Sequence, residues 1–292
     1  MKYLLSCFSF LSLFFFSCSS NEALEELAPA EIPATFIFTE NIHSSMPLDW
    51  VSEYHTVMGN LNTTLPIIPT AYFNEIDVYA WNQKVGNPYQ NKIGDNAGIS
   101  ISGNGEKVNG KKMILGFPDG MLNSPQVDKY YVIAHEYFHI YQMKSQNFFN
   151  DNGKIKWLIE GGAATFGSIY VQQYYGDNYF MQQQAQVSSN ATNSPSNFES
   201  YEGGDDANYA DSTFMVLALV KELQKQDYTE AQAFRLVYDD YWRKNPNTTN
   251  WKSMFQETFK ISITAFYTNL ASYSPDISTV LPTSNLKIQD IF

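Results

Sequence analysis

The sequence predicts an α+β fold in which strands come first and helices follow. Short apolar runs alternate with turn residues over residues 34–117, whereas the chain after Pro118 has mainly helical periodicity. Hydrophobic residues make up 44% of the 292 positions, which is enough to bury a large core. We therefore predict one folded domain over residues 34–292, with a sheet part over residues 34–124 and a helical part over residues 125–292.

The sheet part contains four predicted strands and one helix. Two runs rich in β-branched and aromatic side chains are predicted as strands, residues 35–39 and 76–81. Between them, Trp50, Tyr54 and Val57 share one helical face, which predicts a helix over residues 48–61. Two further strands are predicted to pair across the Gly-rich turn at residues 103–106, namely residues 97–102 and 112–117.

The helical part is predicted to open at Ser124 and Pro125. Serine is a favoured N-cap residue, and proline is tolerated in the first helical turn. This helix is predicted to run to about residue 145, and four more are predicted over residues 156–175, 207–226, 229–244 and 261–273. Residues 182–206 are rich in Gln, Asn, Ser and acidic residues, which predicts a long surface loop.

The N-terminus is typical of an exported protein. Lys2 precedes an apolar run of about 14 residues, shorter than the roughly 20 that a transmembrane helix needs. We therefore predict a signal peptide over residues 1–17. Its end, Ser17-Cys18, resembles a bacterial lipobox, which implies lipidation of Cys18, a tether over residues 18–33 and an outer-membrane anchor, on the periplasmic or the surface side. The alternative, ordinary signal-peptidase cleavage, also exports the protein.

The charge balance disfavours nucleic acid and anionic membranes as partners. The 18 Lys and Arg against 30 Asp and Glu give a net charge of −12, and no Lys or Arg occurs between residues 19 and 83. We expect no nucleic-acid partner and membrane contact only through the lipid anchor. The two cysteines, Cys7 and Cys18, are too few for a disulfide framework or a Cys-rich zinc site. The oligomeric state stays open.

The segment His135-Glu136-Tyr137-Phe138-His139 indicates a metal site. Residues four apart share one helical face, so both imidazoles can reach one metal ion. Glu136 lies one residue round the helix, within reach of a water molecule on that ion. A catalytic zinc needs one more protein ligand and an open position for water. The alternative is a pair of core histidines bonded to neighbouring carbonyls.

A second motif lies on the next predicted helix, where the pattern W-L-x-E-G-x-A begins at Trp157. HExxH followed by this pattern resembles the gluzincin metallopeptidases, the clan of thermolysin. The resemblance implies a zincin fold, similar to the catalytic domain of thermolysin. It also implies Zn2+ on His135, His139 and Glu160, with Glu136 as the general base. The alternative for Glu160 is a solvated carboxylate on a helix.

The same resemblance implies further site residues. Gluzincins stabilise the oxyanion with a Tyr or His downstream of the third ligand, and because the other histidines all lie upstream, Tyr209 is the candidate. The alternative is that Tyr209 only packs against its neighbours. In this clan an extended substrate binds to an edge strand upstream of the zinc helix. Asn96, Ala97 and Gly98 resemble that strand, so they are the predicted substrate-binding residues.

Together, these expectations predict a zinc metallopeptidase that hydrolyses peptide bonds of proteins or peptides at the bacterial cell envelope. Glu136 would activate zinc-bound water. Two alternatives remain open. One is a non-catalytic zincin-fold lipoprotein that binds an envelope protein or a glycan, and the other is a processing factor for a single partner. The intact Glu136 argues against the non-catalytic hypothesis.

Overall fold

A small mixed sheet and a larger set of helices make up the part of the chain that the structure describes. The computed structural model describes residues 35–70, 73–102, 110–143, 155–182, 184–201 and 206–292. The predicted signal peptide and tether, with Cys18, lie outside these residues, as does the predicted turn at residues 103–106. Within the described residues, the predicted α+β class is confirmed.

The strands of the described residues form one sheet. They are β1 (Ile37–Ile42), β2 (Glu75–Asn82), β3 (Ile99–Ser102) and β4 (Lys112–Phe117), and their order in the sheet is β1-β2-β4-β3. β1 and β4 both run parallel to β2, whereas β3 pairs antiparallel with β4 and forms an edge. The predicted pairing of residues 97–102 with residues 112–117 is therefore confirmed. β2 and β4 are largely buried, as expected for central strands with apolar sequences.

Most of the helices follow the sheet in the chain. They are α1 (Leu48–Thr64), α2 (Gln90–Ile93), α3 (Asp119–Leu122), α4 (Asp128–Gln142), α5 (Lys156–Tyr175), α6 (Tyr179–Gln182), α7 (Asn190–Asn193), α8 (Asp206–Gln224), α9 (Glu230–Arg235), α10 (Tyr241–Arg243), α11 (Trp251–Phe259), α12 (Ile263–Leu270) and α13 (Ile288–Ile291). Short 3-10 helices lie at Gln83–Val85, Pro195–Glu199 and Ile277–Thr279, and a π-helical stretch, Leu236–Asp240, joins α9 to α10. Among the helices described, none has both the length and the apolar character of a membrane span.

The structure corrects several predicted boundaries. α4 begins at Asp128 and not at Ser124, because the Ser124 hydroxyl accepts a hydrogen bond from the backbone N of Gln126 and stabilises a turn before the helix. The region predicted as a loop, residues 182–206, contains α7 and a 3-10 helix. It is held against α8 because Ser188 donates two hydrogen bonds to the Asp211 carboxylate. α11 was not predicted.

The close packing of α5 between α4 and α8 positions the site. α5 is buried continuously from Trp157 to Val171, as expected for a helix that has neighbours on several sides. At Gly161 the two backbones approach so closely that a Cβ atom would lie 2.3 Å from the carbonyl oxygen of Ser212 on α8. A Cβ at Gly167 would lie 2.8 Å from the ring of Tyr131 on α4. Glycine therefore permits both contacts.

We expect Gly161→Ala to be less stable than Gly162→Ala by about 1–3 kcal/mol, because only the first forces a Cβ into a neighbouring backbone. At Gly162 the nearest atom to an added Cβ is the Nε2 of the Gln142 side chain, at 3.3 Å. Both variants gain the same helix propensity, so their difference reports packing. Urea denaturation would measure it, and equal free energies of unfolding would contradict the close approach of α5 and α8.

Candidate metal centre

Two helices bring together the three predicted metal ligands. His135 and His139 lie one turn apart on α4, and Glu160 lies in the second turn of α5. The two Nε2 atoms are 3.0 Å apart, and Glu160 Oε2 lies 3.6 Å from His135 Nε2 and 3.2 Å from His139 Nε2. All three side chains are buried, so Glu160 is not a solvated helix carboxylate. The three residues could hold a metal ion.

Gln142 fixes the orientation and the tautomer of His139. Its Nε2 donates a hydrogen bond to the carbonyl oxygen of Ile159 at 3.1 Å, and its Oε1 lies 2.8 Å from His139 Nδ1. The opposite amide orientation would place Oε1 against the Ile159 carbonyl oxygen, two acceptors facing each other. His139 Nδ1 therefore carries the proton and donates a hydrogen bond to Gln142 Oε1. This leaves the lone pair of Nε2 for a metal.

Tyr131 contacts Nδ1 of His135, as Gln142 contacts Nδ1 of His139. Its hydroxyl oxygen lies 3.4 Å from His135 Nδ1 and accepts a hydrogen bond from Gln184 Nε2 at 3.3 Å. Gln184 Oε1 in turn accepts a hydrogen bond from the hydroxyl of Thr213 on α8. Both histidines thus have a polar partner on Nδ1 and present Nε2 to the same point. Metal-binding histidines commonly have such partners, so the residues fit a metal.

Lys156 holds the other oxygen of Glu160. Lys156 lies one helical turn before Glu160, and its Nζ is 2.9 Å from Glu160 Oε1. This leaves Oε2 as the oxygen that faces the histidines. Burial by itself would raise the pKa of the Glu160 carboxyl. His139, His135 and Lys156 outweigh that effect and hold this pKa well below its usual range. Glu160 is therefore ionised, which is the form that binds a metal.

Glu136 lies beside the three ligands without belonging to their cluster. It is buried, and its Oε2 has no hydrogen-bond partner among the residues that the structure describes. Burial raises the pKa of its carboxyl to about 7. A buried carboxyl group with a pKa near neutrality is suited to accept a proton and to return it.

A cavity of about 360 Å³ opens beside His135 and Glu136. Its other lining residues come from several elements and are Ile99, Met121, Asp128, Tyr131, Val132, Tyr179, Gln184, Gln186 and Tyr209. The ring of Tyr209 stands edge-on to the ring of His135, with the centroids 5.9 Å apart. The predicted oxyanion residue therefore lies in the same cavity as the predicted base. Whether Tyr209 contacts a reacting group stays a prediction.

The predicted substrate-binding residues lie immediately before the edge strand β3. The carbonyl oxygen of Gly98 accepts a hydrogen bond from the backbone N of Gly116, and that of Ala97 accepts one from Gln83 Nε2. Asn96 Nδ2 donates to the Ser100 hydroxyl. The role of these three residues in substrate binding stays a prediction. The strand that follows them, β3, begins with Ile99, which lines the cavity.

The residues that orient the ligands were not predicted, although three of them have a signal in the sequence. Gln142 lies three residues after His139, Tyr131 lies four before His135, and Lys156 lies four before Glu160. Each spacing places two side chains on the same face of a helix. Gln184 has no comparable signal, because it is distant in the chain from the residue that it contacts.

We expect Gln142→Met to weaken zinc binding about 10–100-fold, because His139 then loses the acceptor that fixes its tautomer. Gln172→Met is the matched control, since it removes a glutamine that donates to Ser284 on the surface, away from the ligands. Competition with a chromophoric chelator would measure both affinities. An unchanged affinity in Gln142→Met would show that Gln142 does not orient His139.

Comparisons with known proteins assign no family to the chain. No protein-family model, curated protein or solved structure matches it. The geometry of the site and the two sequence motifs are therefore the basis for its proposed chemistry.

Proposed function

We propose that the protein is a zinc metallopeptidase of the gluzincin type, with a zincin fold. The observation that carries this proposal is the buried convergence of His135, His139 and Glu160 on one point, with Glu136 beside them in an open cavity. Two histidines and one glutamate form a ligand set of catalytic zinc in peptidases and leave a position free for water.

The donor atoms favour zinc among the common metals. Two imidazole nitrogens and one carboxylate oxygen suit zinc, whereas magnesium and calcium prefer sites made of oxygen atoms. When bound, zinc would polarise the carbonyl group of the scissile peptide bond and stabilise the negative charge that develops on its oxygen. His135, His139 and Glu160 would hold it, and Gln142, Tyr131 and Lys156 would keep them in position.

Glu136 and Tyr209 are the groups that act on the substrate in this proposal. Glu136 accepts a proton from the attacking water molecule and returns it to the nitrogen of the leaving amine. Its burial and unpartnered Oε2 support this role, because no hydrogen bond among the described residues has to be broken first. The Tyr209 hydroxyl donates a hydrogen bond to the developing oxyanion, and its position in the cavity is consistent with that role.

An extended peptide would bind along β3. This strand is an edge of the sheet, and its first residue, Ile99, lines the cavity together with His135 and Glu136. Backbone hydrogen bonds to an edge strand hold a peptide independently of its sequence, whereas side-chain pockets select residues. We propose a peptide or a protein as substrate, and cleavage at the cell envelope by a protein that Cys18 anchors to the outer membrane.

Digestion of a mixed peptide library by the purified, zinc-loaded protein tests this function. Mass spectrometry would identify the products, in parallel with a sample stripped of metal by a chelator and a stripped sample given zinc again. We expect cleavage in the first and third samples only. If the folded, zinc-loaded protein cleaves nothing, the proposal of a general peptidase is wrong, and a binding protein or a factor dedicated to one partner replaces it.

A further inference from the structure

The cavity beside Glu136 contains a second carboxylate that the proposed reaction does not use. Asp128 lies in the first turn of α4 and lines the cavity. Its Oδ1 accepts a hydrogen bond from the Tyr179 hydroxyl at 2.8 Å. Within the described part of the chain, no Lys or Arg forms an ion pair with it. Asp128 therefore gives this end of the cavity a negative charge.

The nearby lysines are directed elsewhere. Lys129 Nζ donates to the carbonyl oxygens of Leu122 and Ser124, both at 2.9 Å. Lys156 pairs with Glu160 and is not among the residues described as lining the cavity. Neither Lys nor Arg occurs among the described residues that line the cavity. A cationic group of a substrate would therefore meet no competing cation there.

The walls of the cavity suit a long side chain with a charged end. The rings of Tyr131 and Tyr179 stack on each other with centroids 4.1 Å apart, and both line the cavity. Met121 and Val132 add apolar surface. Aliphatic stems of Lys and Arg pack well on such apolar and aromatic surface. Gln186 is exposed at the cavity and offers a further polar group.

The spacing along α4 sets the length of that side chain. Asp128, Val132 and Glu136 follow one another at intervals of four residues, so they form one stripe on the helix. Glu136 lies eight positions after Asp128, a rise of about 12 Å along the helix axis. A side chain that reaches from a scissile bond at Glu136 towards Asp128 therefore has to be a long one.

We propose that this cavity is the subsite for a basic residue, arginine or lysine, that flanks the scissile bond, and that Asp128 determines this specificity. The inference rests on the proposed peptidase function. Arginine is the better match, because its planar guanidinium can bond both oxygens of a carboxylate. The net charge of −12 also favours encounters with cationic peptides.

Asp128 also has a purely structural role to consider, because a carboxylate in the first turn stabilises a helix. That role does not depend on the charge of the substrate. Asp49 is the matched control, since it lies in the first turn of α1, is exposed and is absent from the residues described as lining the cavity. Asp128→Asn keeps an oxygen that can accept the hydrogen bond of Tyr179.

The test of this specificity uses two peptides that contain a bond cleaved in the library digestion. They are identical except that one has arginine beside that bond and the other has norleucine. We expect Asp128→Asn to lower kcat/KM for the arginine peptide about tenfold, the loss expected for one hydrogen bond to a charged group. The norleucine peptide should be little affected, and Asp49→Asn should change neither. Equal losses for both peptides, or no preference for arginine in the unmodified protein, would overturn the inference.

Failure of the peptidase proposal would have a different signature. If the library digestion yields no cleaved bond, an alanine-based peptide with one central arginine and its norleucine counterpart are titrated into the zinc-loaded protein by calorimetry. Tighter binding of the arginine peptide that is lost in Asp128→Asn would keep the basic subsite and reject only the hydrolysis. Equal affinities, or no binding of either peptide, would reject the subsite as well.

Discussion

Glu136→Gln is expected to slow peptide hydrolysis by about 10²–10⁴-fold, the contribution usual for a general base. The amide has the shape of the carboxyl group but does not accept the proton of the attacking water. Zinc binding should persist, because Glu136 is not one of the three converging ligands. The measurement is kcat on a peptide found in the library digestion, with the zinc content of the same sample determined by mass spectrometry.

Glu53→Gln is the control for this prediction, because it removes the charge of a partly buried helical glutamate on α1 that is not among the cavity residues described. It should keep both zinc and hydrolysis. Hydrolysis by Glu136→Gln at the unmodified rate would mean that another group is the base. Loss of zinc together with activity would mean that Glu136 supports the metal site and leave its role as base unproven.

His139→Ala is expected to abolish stoichiometric zinc binding. The loss should exceed the roughly 10–100-fold effect of residues that only orient a ligand. The variant removes one of three buried donors and leaves Glu160 with His135 and Lys156 as neighbours. The effect is measured as the amount of zinc that the protein retains after dialysis. Competition with a chelator then gives the affinity.

His55→Ala is the matched control, since His55 is 53% exposed and pairs with Glu40 away from the site. It should bind one zinc ion like the unmodified protein. One tightly bound zinc ion in His139→Ala would contradict the assignment and require another set of ligands.

The elements best predicted from the sequence are those with strong local signals. α5 covers residues 156–175 as predicted, and it ends where Gly176 adopts a left-handed conformation with φ of 70°. The spacing of His135 and His139 on one helix is also a local property. Glu160 is different, because its place beside the histidines depends on how α4 packs against α5. The sequence therefore indicates Glu160 as a ligand only through the resemblance to gluzincins.

The parts that sequence did not predict depend on contacts between distant segments. Ser124 has the residue type of an N-cap, but it stabilises a turn instead, and its carbonyl oxygen accepts a hydrogen bond from Lys129. Gln184 contacts Tyr131 across 53 residues of chain. The cavity itself combines residues of β3, α3, α4, α6 and α8. Hydrophobic periodicity carries no information about such contacts.

In our proposal, one zinc ion at His135, His139 and Glu160 makes the protein a peptidase. The decisive experiment is a titration of the metal-free protein with zinc, in which bound zinc and peptide hydrolysis are followed in the same samples. We predict that hydrolysis rises in proportion to bound zinc and reaches a plateau at one equivalent. Hydrolysis by the metal-free protein, or no hydrolysis of the peptide library after one equivalent has bound, would show that zinc at these residues does not make the protein a peptidase.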